Sequence, residues 1–564
     1  MRSTRIGVGL TAATLAVTLG ASACSSSKST SSKPNTAPKA SVNDVNPVDR
    51  SKLKQGGTLT WPIDQFSTQW NYNEADGPET STNDVDLALL PTPFHFDAGG
   101  TPYADTDYLA GEPAVTTVAG KQTVTYELNP KAKWSDGTAI TEADFAAQWK
   151  ALNGVNSAFN VASTVGYSQI SNVAAGKSPE EVVVTFSSNF ADWKSLFSPL
   201  YPASTNATPD AFNKSWINKI PVTAGPFKFS AFNATDKTVT VVRDPNWWGD
   251  PAILDSIVFK TVDVSAEADA FASGEIDFFD IGPSATNYKK AAAVKAGKIR
   301  VAGGPNFRHV TMNGKSPMLS DVRVRQAVAE AIDRGAIAKS DLAGLPWPDQ
   351  PLNNHFYVNN QNGYQNNAGA VGKYDPTAAG ALLDAAGWTQ GGGQYRTKGG
   401  QTLELKLVIP DGVPVSANEG TLMQNFLAKV GIKLDIDAVN SDDFFDKYVN
   451  IGQFDLTVFS WIGNQFPVSS NASIYQNPQG KNIFQNYAQV GSSQIDGMLT
   501  TAQADLDAAQ AVKDTNAVDA AIWQEAGVVP FYQRPDFVAE KSNLANFGAF
   551  GFADRVYQNI GFTS

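Results

Sequence analysis

Apolar and polar positions alternate in short runs over residues 225–260, and turn residues separate the runs. Thr238, Val239, Thr240, Val241 and Val242 are all β-branched, which suits a half-buried pleated strand. The Ala234, Thr235, Asp236 and Lys237 before them supply turn chemistry, so the spacing predicts a hairpin. Pro245 stops the second strand because it has no N–H for a ladder, and Trp247 and Trp248 form an aromatic corner. Ile257, Phe259 and Thr261 alternate as a third strand.

The same patterns recur along the chain. Strands are expected over 57–63, 124–128, 182–186, 309–313, 403–409, 432–436 and 454–461. Helical spacing appears at Phe145, Trp149 and Leu152 after a Thr141/Asp144 capping box, and over a short run at 266–273. It appears again at Val324, Ala327, Val328, Ala331 and Ile332, where Ser320 is the expected cap. A helix with Asp375 as N-cap and Pro376 in its first turn buries Ala379, Leu382, Leu383 and Ala386 and stops at Gly387. Another carries Leu422, Met423, Phe426, Leu427 and Val430 and stops at Gly431. Alternating strands and helices in the second half predict an α/β lobe with a mainly parallel sheet.

A chain of 564 residues exceeds one hydrophobic core, and 42% hydrophobic residues are ample for two or three. The net charge of −12 argues against nucleic acid, which needs a basic face. Cys24 is the one cysteine, so neither an intrachain disulfide nor a cysteine metal site is possible. His95, His309 and His355 are widely spaced and read as structural, so no metal and no cofactor are expected.

Arg2 and Arg5, an apolar run over 6–19 and the small residues Ala21, Ser22 and Ala23 have the layout of a secretory signal. The sequence ending at Cys24 resembles a bacterial lipobox, although Ala21 replaces its usual leucine; the alternative is a plain cleavage site with Cys24 incidental. Residues 25–55 are rich in Ser, Thr, Lys and Pro without apolar periodicity, which predicts a flexible tether.

Five ordered motifs resemble the family 5, or peptide-type, solute-binding proteins of ABC importers. They are TYELNPKAKWSDGTAITEADFAAQW over 125–149, the Arg243-Asp244-Pro245-Asn246-Trp247-Trp248 corner, and the Gly274-Glu275-Ile276-Asp277 turn. The others are DVRVRQAVAEAIDR over 321–334 and Tyr374-Asp375-Pro376 with its following Ala-Gly-Trp. The resemblance implies a two-lobed periplasmic-binding-protein-like α/β fold, type II and cluster C, with an accessory subdomain and two hinge strands. The implied division is a signal peptide at 1–23, a lipidated Cys24 with tether at 24–55, and lobe I at 56–305 with the accessory subdomain at about 78–205. Lobe II follows at 306–515, and 516–564 returns to lobe I.

The resemblance also implies a non-enzymatic function. An extracellular, lipid-anchored monomer would capture oligopeptides or similar solutes and deliver them to an ABC permease and ATPase. A regulatory role in envelope glycolipid assembly is the alternative for this fold. No Gly-x-Ser-x-Gly, His-Glu-x-x-His or Ser-x-x-Lys set points to a hydrolase. Candidate ligand contacts are Phe66, Trp70, Trp461, Asn464, Gln465 and Tyr487. Aromatics in a polar loop either wall a site or plug the local core. In peptide-binding members an aspartate often stands where this chain has Asn464, pairing with the ligand's α-amine; Asp442, Asp443 and Asp446 are the acids near enough in sequence to compensate.

Overall fold

A computed structural model of the chain describes residues 42–440, 443–478, 480 and 483–563. The expected leader, Cys24 and Asp442 lie outside the described residues. The organising stretch forms the expected strands Phe227–Asn233, Thr238–Arg243 and Ser256–Thr261. They join Thr58–Ile63 in a four-stranded sheet in which Ser256–Thr261 is the parallel neighbour of that first strand. The aromatic corner closes over this sheet: Trp247 is buried, and Trp248 Nε1 donates to Asp107 O at 2.7 Å.

A second, antiparallel four-stranded sheet builds the accessory subdomain from Ala114–Val118, Lys121–Glu127, Glu181–Phe186 and Ile170–Ala175. The capping box of Thr141 and Asp144 opens the helix Glu142–Leu152, which packs on it.

The other lobe holds a six-stranded sheet ordered Phe278–Asp280, Val528–Lys541, Gly297–Met312, Leu456–Trp461, Glu404–Pro410 and Lys433–Val439. It is mixed rather than mainly parallel: only the Glu404–Pro410 pairings are parallel. The strand expected at 309–313 is the end of the far longer Gly297–Met312, which runs antiparallel to Val528–Lys541. Period-2 side chains on these two strands serve two cores. Ala302 and Val538 pack with the first lobe, whereas Val301, Phe537 and Ala539 pack with the second. They are the strands that cross between lobes.

Three local expectations change. Asp321, not Ser320, caps the helix Val322–Ala331 by accepting the Arg323 N–H, and Ser320 Oγ donates back to Pro317 O. Residues 42–55, expected within the tether, pack on the body: Asp44 and Val45 pair with Ala549 and Gly548, and Leu53 is buried. The cores also divide the chain differently from the implied boundaries. Ala268, Phe271, Ile276 and Phe279 belong to the second lobe's core, as does Trp523, and the return to the first lobe is made by residues such as Leu544, Phe547 and Tyr557. An apolar pattern states that a face is buried, not which core receives it.

Candidate functional site

The two lobes are in contact across a cleft. Ala191 N donates to Gln503 O at 2.7 Å, Ser469 N donates to Asp192 Oδ2 at 3.2 Å, and Phe96 meets Phe466 edge-on at 5.2 Å. Beside these contacts Gln465 donates its Nε2 to Phe552 O at 3.0 Å, and Phe552 packs with Phe307, Leu352 and Val358. Behind these contacts lies a cavity of about 350 Å³, within the usual size of small-ligand sites.

Six stretches of chain build its wall, among them Asn83 and Leu87 of the helix Thr80–Leu89 and Ser198. The strand Phe94–Phe96 contributes His95 between two phenylalanines, and the crossing strand contributes Asp536 and Val538, two apart and therefore on one face. The C-terminal loop adds Phe550, Asp554 and Arg555, and the second lobe adds Gln465. Gly551, also in the wall, has φ +62°, and a Cβ there would collide with Val42 O, so the loop requires glycine.

The charges are arranged in sets. His95 Nε2 stands 3.0 Å from Asp105 Oδ2 and its Nδ1 stands 3.5 Å from Asp554 Oδ2. Burial disfavours the imidazolium, but the hydrogen bonds and charges of the two aspartates outweigh it and push His95 up to about 10. Arg555 Nη1 holds Asp84 Oδ1 at 2.8 Å, with the guanidinium 5.1 Å from the Trp61 ring. Burial raises Asp84, and Arg555 draws it back down. Asp536 accepts the Gly551 N–H at 3.1 Å and is pushed up to about 6, chiefly by burial and then by Asp280.

The residues expected from sequence take different places. Gln465 lines the cavity. Trp461 and Tyr487 come together in the second lobe, stacked at 5.7 Å and 3° apart in plane, with His309 on Trp461 at 5.6 Å. Asn464 is exposed, and its Oδ1 accepts the Phe466 N–H at 2.8 Å beside the helix Pro467–Tyr475. Phe66 and Trp70 both pack on Phe232, and Trp70 is 0% exposed, so that loop plugs the first lobe's core. A side chain with no accessible surface touches no ligand. Asp443 is paired with Lys447 at 2.8 Å. Sequence reasoning missed His95, Asp536, Asp554 and Arg555; the one local signal was the acid–base pair 554–555 set among Phe547, Phe550 and Phe552.

The remaining histidines are sealed in the core. His355 sits 2.7 Å from Asp519 and 2.9 Å from Val528 O, wholly buried, so its carboxylate-facing ring has a carbonyl where a nucleophile would have to be. His309 Nε2 bonds Thr311 Oγ1 at 3.0 Å, and burial lowers it well below the usual histidine value.

The bacterial extracellular solute-binding proteins, family 5 middle, match residues 109–482. The chain belongs to this family. It is 38% identical over 525 residues to the oligopeptide-binding protein OppA of Mycobacterium tuberculosis H37Rv, covering 92% of this chain and 87% of that one. Among solved structures it is similar to the periplasmic EDTA-binding protein EppA, with TM-score 0.83 and 24% identity over 93% of this chain and 98% of that one. It is also similar to the oligopeptide-binding protein AppA of Bacillus subtilis, solved with a nonapeptide, with TM-score 0.72 and 19% identity over 91% and 100% of the two chains. The fold is therefore the two-lobed periplasmic-binding-protein fold. As a member of this family, the chain is a solute-binding protein. No helix among the described residues is long and apolar enough to cross a membrane.

Proposed function

We propose that the protein captures oligopeptides in the cavity between its lobes and hands them to an ABC permease with its ATPase. In this reading it is a monomer held at the outer face of the cell membrane by a lipid on Cys24. The observation that carries the peptide reading is the cavity itself: phenylalanines at 94, 96 and 550 supply apolar walls, and charged groups stand among them. A peptide, apolar in places with charged ends, matches that mixture. The similarity to a protein named for oligopeptide binding supports the same choice.

Capture follows from closure. Ligand bound to one lobe gains the contacts of the other when the cleft shuts, so it stabilises the closed state by its differential affinity. The cleft contacts are few, the hydrogen bonds at Ala191 and Asp192 and the edge contact of Phe96 with Phe466, so the lobes can part again at the permease. Trp461, Tyr487 and Asn464 belong to the second lobe's side of this movement, with Gln465 as its direct contact.

Titration of the purified protein with short peptides tests the reading. Saturable binding that weakens when Gln465 is replaced by Ala is expected; heat from sugars or phospholipid headgroups but none from peptides overturns it. For the anchor, Cys24→Ala is expected to release the protein from the membrane fraction, and retention of the variant overturns that part.

A further inference from the structure

Both cations in the cavity wall already have carboxylates of their own. Arg555 is held by Asp84, and His95 by Asp105 and Asp554. Asp536 is left over. One of its oxygens accepts the Gly551 N–H, and among the described residues no Lys, Arg or His nitrogen lies within 4.0 Å of its carboxylate. Arg555 and Arg534 pull on it only from a distance, while Asp280 opposes them. A backbone N–H and the strand geometry fix it facing the cavity on the same side as Val538.

An ionised carboxylate in such a place is costly unless a cation joins it. The body offers none, so the partner has to come with the ligand. We propose that Asp536 anchors a primary ammonium group of the bound ligand, either a peptide's α-amine or a lysine side chain. The inference rests on reading the cavity as the peptide site and adds the group that the cavity selects. It also accounts for Asn464: that side chain is exposed and occupied with the Phe466 N–H, so the amine is held on the crossing strand instead of on the second lobe's loop. The carboxylate is half-buried, which makes the ammonium–carboxylate contact stronger than at an open surface.

The test uses three sets of synthetic tri- to octapeptides: lysine-free with a free N-terminus, lysine-free and N-acetylated, and N-acetylated with one lysine. Each is equilibrated with the intact protein, and bound peptide is quantified by mass spectrometry. The wild-type protein is expected to hold at least one amine-bearing set, the free set or the acetylated lysine set, at least about tenfold more strongly than the acetylated lysine-free set. Recovery of the acetylated lysine set identifies the side chain as an ammonium source; its loss identifies the α-amine. Asp536→Asn keeps an acceptor for the Gly551 N–H and is expected to bind the free and acetylated sets alike, with an unchanged thermal transition.

A second check comes from pH. Binding an ammonium requires ionised Asp536, which titrates at about 6. Free-set affinity of the wild-type protein should therefore fall by up to about tenfold per pH unit below pH 6, and Asp536→Asn should lack that decline. If wild-type protein binds peptides but the Asn variant retains the full preference for free amines, the inference is overturned and the peptide reading stands. Equal binding of all three sets by wild-type protein has the same meaning. If no set binds, the peptide reading falls and the inference falls with it.

Discussion

Asp192 of the first lobe accepts the backbone N–H of Ser469 in the second at 3.2 Å, a hydrogen bond made across the cleft. Burial raises the Asp192 carboxyl above its ordinary range, and the two hydrogen bonds from Ser469 pull it back. The closed state therefore needs the acceptor at this position but not its charge.

Two substitutions separate these roles. Asp192→Ala removes the acceptor from a group that water satisfies only in the open state, so ligand release should accelerate about five- to tenfold. Asp192→Asn keeps an oxygen and sheds a buried charge, so release should stay within about twofold of wild type. Stopped-flow displacement of bound peptide distinguishes them; equal acceleration in both variants would mean that the charge itself holds the lobes.

Asn464→Asp is expected to leave peptide affinity within about twofold, because an exposed carboxylate is screened. Its side chain already serves the turn before Pro467 through Phe466 N–H. Calorimetric titration checks this, and a tenfold gain would place the ligand's amine at 464.

Trp70→Ala should lower the stability of the first lobe by about 3–5 kcal/mol, since a fully buried indole stacked on Phe232 leaves a large cavity. Peptide affinity of the protein that remains folded should not change. Denaturant unfolding and titration on the same samples decide between a core role and a binding role.

The contrast between Trp70 and Gln465 shows how far sequence reasoning reaches. Local chemistry is readable: the β-branched run becomes Thr238–Arg243, the Thr141/Asp144 box caps its helix, Asp375 accepts the Ala378 N–H, and Gly431 takes φ +81° at a helix end. Each depends on neighbours within a few residues. The choice between Ser320 and Asp321 as a cap depends on which side chain reaches the Arg323 N–H, which composition leaves open. The mixed order of the second sheet depends on where the long crossing strands insert, a matter of contacts hundreds of residues apart. The cavity is harder still, because His95, Gln465, Asp536 and Arg555 come from four separate stretches and share no period. Whether an aromatic such as Trp70 walls a site or fills a core is decided by what packs against it, here Phe232.

Glu267 supplies a pH-dependent check on the second lobe. Burial, with Asp64, Asp280 and Asp263 nearby, pushes its carboxyl up to about 8. The folded state thus favours the protonated form, and this group's contribution to stability is fully present below about pH 4.5 and lost as pH rises toward 8. Glu267→Gln should raise stability by on the order of 1–3 kcal/mol at pH 8–9, after allowance for solvent screening, and change it little at pH 4.5. Thermal melts at the two pH values measure the difference; equal effects at both would remove the electrostatic explanation.

The central claim is that the closed cavity takes peptides. Native mass spectrometry of the protein purified from its own cells without unfolding tests it most directly. Peptide masses released on denaturation, bearing free amines, are the predicted result, whereas a single glycolipid or other non-peptide mass in the cleft would contradict the account.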